Sequence, residues 1–387
     1  MNISSLAISF RSAMRHFFVS LVSFPDSSGL NLAPLNPGPI PWFQRKLSPK
    51  NAEFNMLTYF QSRFTPNPLC ICYLLILLSF PFSSFAQMLQ LKDFGPNPGE
   101  LKAYLHLPPD TTSYLPLVIA MHGCLQDANT YAKETGWNDI ADREGFAVLY
   151  PEQVQSNNPN KCFSWFLEGD INRDQGETRS IRSMIDQVSK KYKIDQERLF
   201  VSGLSAGGAM TAVMMATYPE LFRSGAVIAG IPYKASTTLE GALTAMKGEI
   251  DQEPDQWEQL VIEQNPSYEG EYPDLVVFHG AEDPVVNRRN MLELAEQWMA
   301  LHQIPKEEAQ VDEAFDGNPD VIRRLYQRPD GKARVATFEV KKLGHALAVN
   351  PGTGPKQGGS TGRFSVDADF FVTYWAADFF GLIQEKE

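Results

Sequence analysis

The sequence has no excess of basic residues. Across 387 positions, 34 Lys and Arg face 46 Asp and Glu, a formal net charge of -12 at pH 7. Phosphate backbones are bound by concentrated Lys and Arg. With no basic run and no aromatic-basic interleaving here, nucleic acid is set aside as a partner. Also lacking is an apolar run of the ~18 residues that a membrane-spanning helix needs. There is no internal repeat, and no Pro/Thr/Ser linker leads to an appended binding module. Cysteine is scarce at four residues and histidine at six, so any chemistry that needs an imidazole has few positions to choose from.

What is present is an ordinary globular composition, 43% hydrophobic and 21% charged. The length could hold two domains, but α/β folds often run well past ~200 residues as one. Residues 1–55 mix Ser, Pro and scattered hydrophobics without sustained period, and read as a leader of doubtful status, upstream of a second start at Met56. After Met56 come Arg63, the apolar stretch Leu69 to Phe82 (LCICYLLILLSFPF) and Ser83-Ser84-Phe85-Ala86. A basic n-region, an apolar core of ~7–15 residues and small residues at the cut make a secretory signal. The expectation is a signal peptide over 56–86, a mature chain over 87–387, and a secreted or periplasmic protein with no stable membrane span after cleavage. Cys70 and Cys72 leave with the signal, and Cys124 and Cys162 remain. An even pair in an exported chain favours a disulfide, the alternative being two separate buried thiols.

From Gln87 onward strand and helix patterns alternate. Leu101–Leu107, Leu117–Met121, Phe146–Tyr150, Leu199–Ser202, Gly225–Ala229, Leu275–Phe278 and Val335–Val340 read as strands. Asn129–Arg143, Gly176–Tyr192, Ala206–Tyr218, Asn290–His302 and Val366–Phe380 read as helices. In Gly176–Tyr192, Ile181, Met184, Ile185 and Val188 keep three- and four-residue spacings. Apolar strands alternating with helices predict an α/β fold, a mostly parallel central sheet with helices on both faces. Residues 231–272, polar and irregular, are expected to form a small cap-like insertion.

Gly203-Leu204-Ser205-Ala206-Gly207 fits G-x-S-x-G. The pentapeptide alone is a modest signal, and its ordinary reading is a glycine-rich turn with an incidental serine. Its place between an apolar strand and a helix makes it a nucleophile elbow, a tight turn that projects a hydroxyl. In this fold the order is serine, acid, histidine. Of the downstream histidines, His302 ends a helix, whereas His345 follows a strand in a Leu-Gly-His-Ala loop, where active sites of open α/β sheets gather. His345 is therefore chosen as the base. Asp283, in His279-Gly280-Ala281-Glu282-Asp283-Pro284, is expected to orient it, with Glu282 as the alternative acid. The backbone N–H of Ala206 and that of Cys124, in the loop after Leu117–Met121, are the candidate oxyanion donors. A disulfide to Cys162 would hold that loop rigid. His122 is given an architectural role. Trp165 could line the substrate pocket, or be an ordinary core indole.

Taken together, these segments resemble the polyhydroxybutyrate depolymerase-type esterase family, whose relatives include feruloyl and acetylxylan esterases. The resemblance is carried by His122-Gly123-Cys124, Gly136-Trp137-Asn138, Tyr150-Pro151-Glu152-Gln153 and Asn158-Pro159-Asn160-Lys161-Cys162-Phe163-Ser164-Trp165-Phe166. Gly203 to Met210, His279-Gly280 with Asp283, and Gly344-His345 complete it, and it spans nearly the whole of 87–387. It implies an α/β-hydrolase fold and a serine esterase without metal or other cofactor. Ser205, Asp283 and His345 match the family's triad. The expected substrates are short hydroxyalkanoate oligomers or small esters, with feruloyl or acetylated cell-wall esters as the alternative. A hydrolase fold used only for binding and an acyltransferase are the rival readings. The chain departs from the family at Ala235 and Ala245, and at Gln357-Gly358-Gly359, in segments where many relatives carry cysteines. It departs again at Ala346-Leu347-Ala348, where many members carry aromatic or proline residues.

Overall fold

The computed structural model describes residues 88–305 and 309–384, so the expected leader 1–55 and signal 56–86 lie outside the described residues. The apolar runs pair into a sheet of ten strands. They are β1 Leu89–Leu91, β2 Lys102–His106, β3 Leu115–Met121, β4 Ala147–Glu152, β5 Ile194–Leu204, β6 Ser224–Ile228, β7 Asp274–Gly280, β8 Ala309–Asp312, β9 Val321–Gln327 and β10 Ala333–Val340. Their spatial order is β1-β2-β4-β3-β5-β6-β7-β10-β9-β8. The block β4-β3-β5-β6-β7-β10 is parallel throughout, and antiparallel strands flank it at both edges. A parallel sheet is covered on both faces, which is why its strands read as continuous apolar runs. Every residue of β3 is buried. Leu117, Ile119 and Met121 enter one core and Val118 and Ala120 the other, the two-residue alternation of a strand.

The helices are α1 Ala128–Thr135, α2 Trp137–Glu144, α3 Glu168–Ile171, α4 Gly176–Lys191, α5 Ala206–Thr217, α6 Leu239–Met246, α7 Pro254–Ile262, α8 Arg289–Leu301 and α9 Val372–Phe379. Side chains of α4, α5 and α8 fill the first core and those of α1, α2 and α9 the second. This is the α/β-hydrolase architecture expected from the sequence.

Three local expectations are corrected. The helix expected over Asn129–Arg143 is two helices, broken at Gly136, whose left-handed backbone (φ 66°) caps α1 and starts α2. The closing helix starts at Val372, because Ser365–Asp367 is strand β12, paired in parallel with β11, Leu347–Val349. The insertion 231–272 is not irregular but carries α6 and α7. Its Trp257 is buried and donates Nε1–H to Glu293 of α8 at 2.9 Å, and Gln297 of α8 bonds both N–H and C=O of Tyr233. These contacts hold the insertion against the helical flank of the sheet.

Candidate active site

Ser205 is the single residue between β5 and α5, with φ 57° and ψ -116°. A side chain at positive φ is strained, by roughly 1–3 kcal/mol, and persists only where its surroundings impose it. Here the Ser205 N–H donates to Ile228 O at 2.8 Å, and its carbonyl accepts from Ala209 N at 2.8 Å. Glycine at 203 and 207 makes the turn possible. A Cβ at Gly203 would stand 2.2 Å from Gly207 O, and one at Gly207 2.2 Å from Met121 O. The turn points the hydroxyl at the carboxyl ends of the parallel strands.

There His345 arrives from the loop after β10. Its Nε2 lies 2.8 Å from Ser205 Oγ and its Nδ1 2.7 Å from Asp283 Oδ2. The two loops that bring these groups are laced together, with Ala281 N donating to Val340 O at 2.9 Å and Glu282 N to Leu343 O at 3.0 Å. Asp283 Oδ1 accepts from Val285 N at 2.8 Å and Val286 N at 2.9 Å. Burial pushes the Asp283 carboxyl up, but the hydrogen bond and charge of His345 and the two amides outweigh it, and the group sits below its ordinary value. It is a carboxylate at neutral pH. Glu282 is exposed and His302 bonds the carbonyl of Pro273, so neither joins the group.

Cys124 is disulfide-bonded to Cys162. Around it, Gly123 N donates to Gln126 Oε1 at 2.9 Å and Leu125 N to Asn160 O at 2.6 Å. Among the described residues, neither the Cys124 N–H nor the Ala206 N–H donates to a protein acceptor. His122 is fully buried, and that burial lowers its pKa to about 4. Its Nδ1 contacts Gly123 O at 2.7 Å and its Nε2 accepts from Gln153 N at 3.1 Å, so the neutral ring braces the loop.

The family description "Esterase PHB depolymerase" matches residues 101–309. Poly(3-hydroxyalkanoate) depolymerase C of Paucimonas lemoignei is 38% identical over 308 residues, covering 80% of this chain and 73% of that protein. The chain belongs to the PHB depolymerase esterase family. Feruloyl esterase B of Talaromyces stipitatus is 28% identical, over 72% of this chain and 77% of its own length. Among solved structures, an acetyl xylan esterase from Aspergillus awamori superposes with a TM-score of 0.61 at 24% identity, over 67% of this chain and 93% of its own, a likeness of fold.

This esterase carries the carboxylic-ester hydrolase chemistry of its family, and the remaining predicted residues divide by position. Trp165 is buried, 6% exposed, in the first core and stands edge-to-face with Phe166 at 5.2 Å. Ala346 and Ala348 are buried in the second core, the first just before β11 and the second within it. Ala235 and Ala245 are buried in the first. Sequence reasoning singled out His279 only as part of a motif. In the structure its Nε2 donates to Val286 O at 2.8 Å, directly behind Asp283. Its place two residues before the Ala281-Glu282-Asp283 turn was the available signal. Among the described residues no cluster of His, Cys, Asp or Glu is arranged to hold a metal ion.

Proposed function

We propose that this esterase is exported and hydrolyses short hydroxyalkanoate oligomers or small esters through an acyl-enzyme on Ser205. The observation that carries the reading is the continuous line Ser205 Oγ, His345 Nε2, His345 Nδ1, Asp283 Oδ2, with contacts of 2.8 and 2.7 Å. His345 takes the hydroxyl proton as Ser205 attacks the ester carbonyl. Asp283 holds the imidazole tautomer and stabilises its protonated form without taking the proton. The oxyanion rests on the Cys124 and Ala206 N–H groups, the second at the N-terminus of α5. His345 then protonates the leaving alcohol, and water, activated by the same imidazole, releases the acid.

Export is supported by the signal-like segment before Gln87 and by the Cys124–Cys162 bond. No helix among the described residues is long and apolar enough to cross a membrane. Oligomers of hydroxyalkanoate are favoured by the 38% identity to the Paucimonas depolymerase. Feruloyl or acetylated cell-wall esters are the second reading, supported by the Talaromyces relative and by an acetylxylan esterase of Emericella nidulans, 31% identical over 59% of this chain.

The test is a hydrolysis panel of hydroxybutyrate oligomers, methyl ferulate and acetylated xylan, run with wild type and Ser205→Ala. Turnover of the oligomers by wild type, reduced about 10⁴-fold or more in the variant, is expected. A variant with wild-type turnover removes Ser205 from the mechanism, and preference for ferulate or acetyl groups replaces the substrate reading.

A further inference from the structure

Behind the Cys124 loop lies a chain of buried polar side chains that the reaction does not touch. Gln153 follows β4, and its backbone N–H, which can only donate, points at His122 Nε2. That leaves the ring proton on Nδ1, directed at Gly123 O, the carbonyl immediately before Cys124. The Gln153 side chain is oriented as firmly. Its Oε1 accepts from Val154 N and from Asn157 Nδ2, each at 2.9 Å. Its Nε2 therefore donates, at 2.5 Å, to Glu177 Oε1 on α4. The other oxygen, Glu177 Oε2, accepts from Ser164 N at 2.9 Å. Ser164 lies two residues beyond Cys162, on the far side of the disulfide.

One carboxyl group thus grips both strands of the bridged loop. It reaches residues 122–124 through Gln153 and His122, and residues 162–164 directly. Every member is buried: His122 and Gln153 are 0% exposed, Glu177 2% and Ser164 8%. Asp170 faces Glu177 from α3, its Oδ1 accepting Glu177 N at 3.1 Å. Burial first, and then the Asp170 charge, raise the Glu177 carboxyl, while the donors at Ser164 and Gln153 pull it back down. Removing such a group from water without hydrogen-bond partners is costly, and here both oxygens are used as acceptors. An oxyanion donor serves catalysis only if it is fixed before charge develops, since reorganisation during the step forfeits its stabilisation.

We infer that Gln153 and Glu177 are positioning residues for the Cys124 N–H, acting through His122 and through Ser164. This rests on the reading of Cys124 as an oxyanion donor. Neither residue touches substrate. The relay holds the amide where the tetrahedral oxygen forms, and its loss lowers the rate of the chemical step more than substrate binding.

The relay depends on acceptor geometry at Glu177, which allows a sharp test with p-nitrophenyl butyrate as substrate. Glu177→Gln keeps the shape but turns one acceptor into an NH2 group, setting donor against donor at Gln153 Nε2 or Ser164 N. We expect kcat to fall about tenfold or more with KM within about twofold. The exchange Gln153→Glu with Glu177→Gln satisfies every donor again, because the new carboxylate accepts from Val154, Asn157 and the new amide. It should recover most of the lost kcat, a rescue that bulk packing does not provide. A folded Glu177→Gln protein with wild-type kcat overturns the inference. So does an exchanged pair with wild-type Tm whose kcat stays as low as that of Glu177→Gln. Should Glu177→Gln not fold, the exchanged pair decides alone: near wild-type kcat supports the relay, and a folded protein about tenfold down overturns it. Fluorophosphonate labelling of wild type separates the two levels. No adduct on Ser205 removes the underlying mechanism, whereas an adduct together with an unaffected Glu177→Gln removes only the relay.

Discussion

His279 Nε2 lies 3.5 Å from Asp283 Oδ2, with both side chains fully buried. That oxygen is the one that accepts His345 Nδ1, so a second imidazole stands behind the acid. Burial lowers the His279 pKa, and the ring is neutral, donating from Nε2 to Val286 O. Glu339, beside it on β10, is engaged by Arg288 and Arg324. His279 therefore pins the 283–286 turn from beneath. His279→Leu removes this bond from a buried carbonyl and should lower kcat about tenfold, roughly 1–2 kcal/mol. His279→Asn, which keeps a donor, should lose less. Equal losses in the two variants would show that packing, rather than the hydrogen bond, is what matters there.

Asp283→Asn keeps the size of the acid but replaces an accepting oxygen with either a weaker acceptor or a donor. The wrong His345 tautomer then faces Ser205. The expected loss in kcat is about 10³–10⁴-fold, with little change in Tm. Steady-state kinetics and thermal melts on the same preparation check both halves.

The Cys124–Cys162 bond closes a loop with a sequence separation of 38 residues. Constraint of the unfolded chain by such a loop is worth roughly 4 kcal/mol. Cys162→Ser should lower Tm by about 6 °C for a chain of this size. Because Cys124 carries a proposed oxyanion donor, kcat should fall as well, measured well below the new melting point. A variant that melts early yet turns over at the wild-type rate would confine the bridge to stability.

Burial lowers both His122 and His302 to about 4, from ordinary values near 6.5. The unfolded chain binds these protons more readily than the folded one, so stability is full above about pH 6.5 and is lost as pH falls toward 4. Each group accounts for roughly 3 kcal/mol across that window. These two groups therefore pull the urea midpoint down between pH 6.5 and 4, in the direction in which buried His279 also acts and against the raised Glu177 carboxyl. In His302→Gln, which lies outside the site, the drop between pH 6.5 and 4 should be smaller than in wild type. An unchanged slope in that variant would locate the acid sensitivity elsewhere.

Much of this protein is legible in its amino-acid order. The parallel sheet announced itself because strands covered on both faces must be apolar throughout. G-x-S-x-G did so because a tight strand-to-helix turn tolerates only small flanking residues, as the close approaches at Gly203 and Gly207 explain. The break at Gly136 was missed although glycine is an ordinary helix stop signal, and its left-handed backbone shows that two helices meet there. Strand β9, between β10 and the outer strand β8, was missed because Arg323 and Arg324 interrupt its apolar pattern.

The amino-acid order by itself determined local geometry, the short list of reactive groups and the family. Such signals live within a few residues, where backbone sterics and side-chain period act. Only the folded sheet decided which groups meet. It set His345 against Ser205 across 140 residues, left Glu282 in solvent, and put Glu177 behind a loop 53 positions earlier. Those choices depend on which strands pair and in what register, a property of long-range packing that no local pattern encodes.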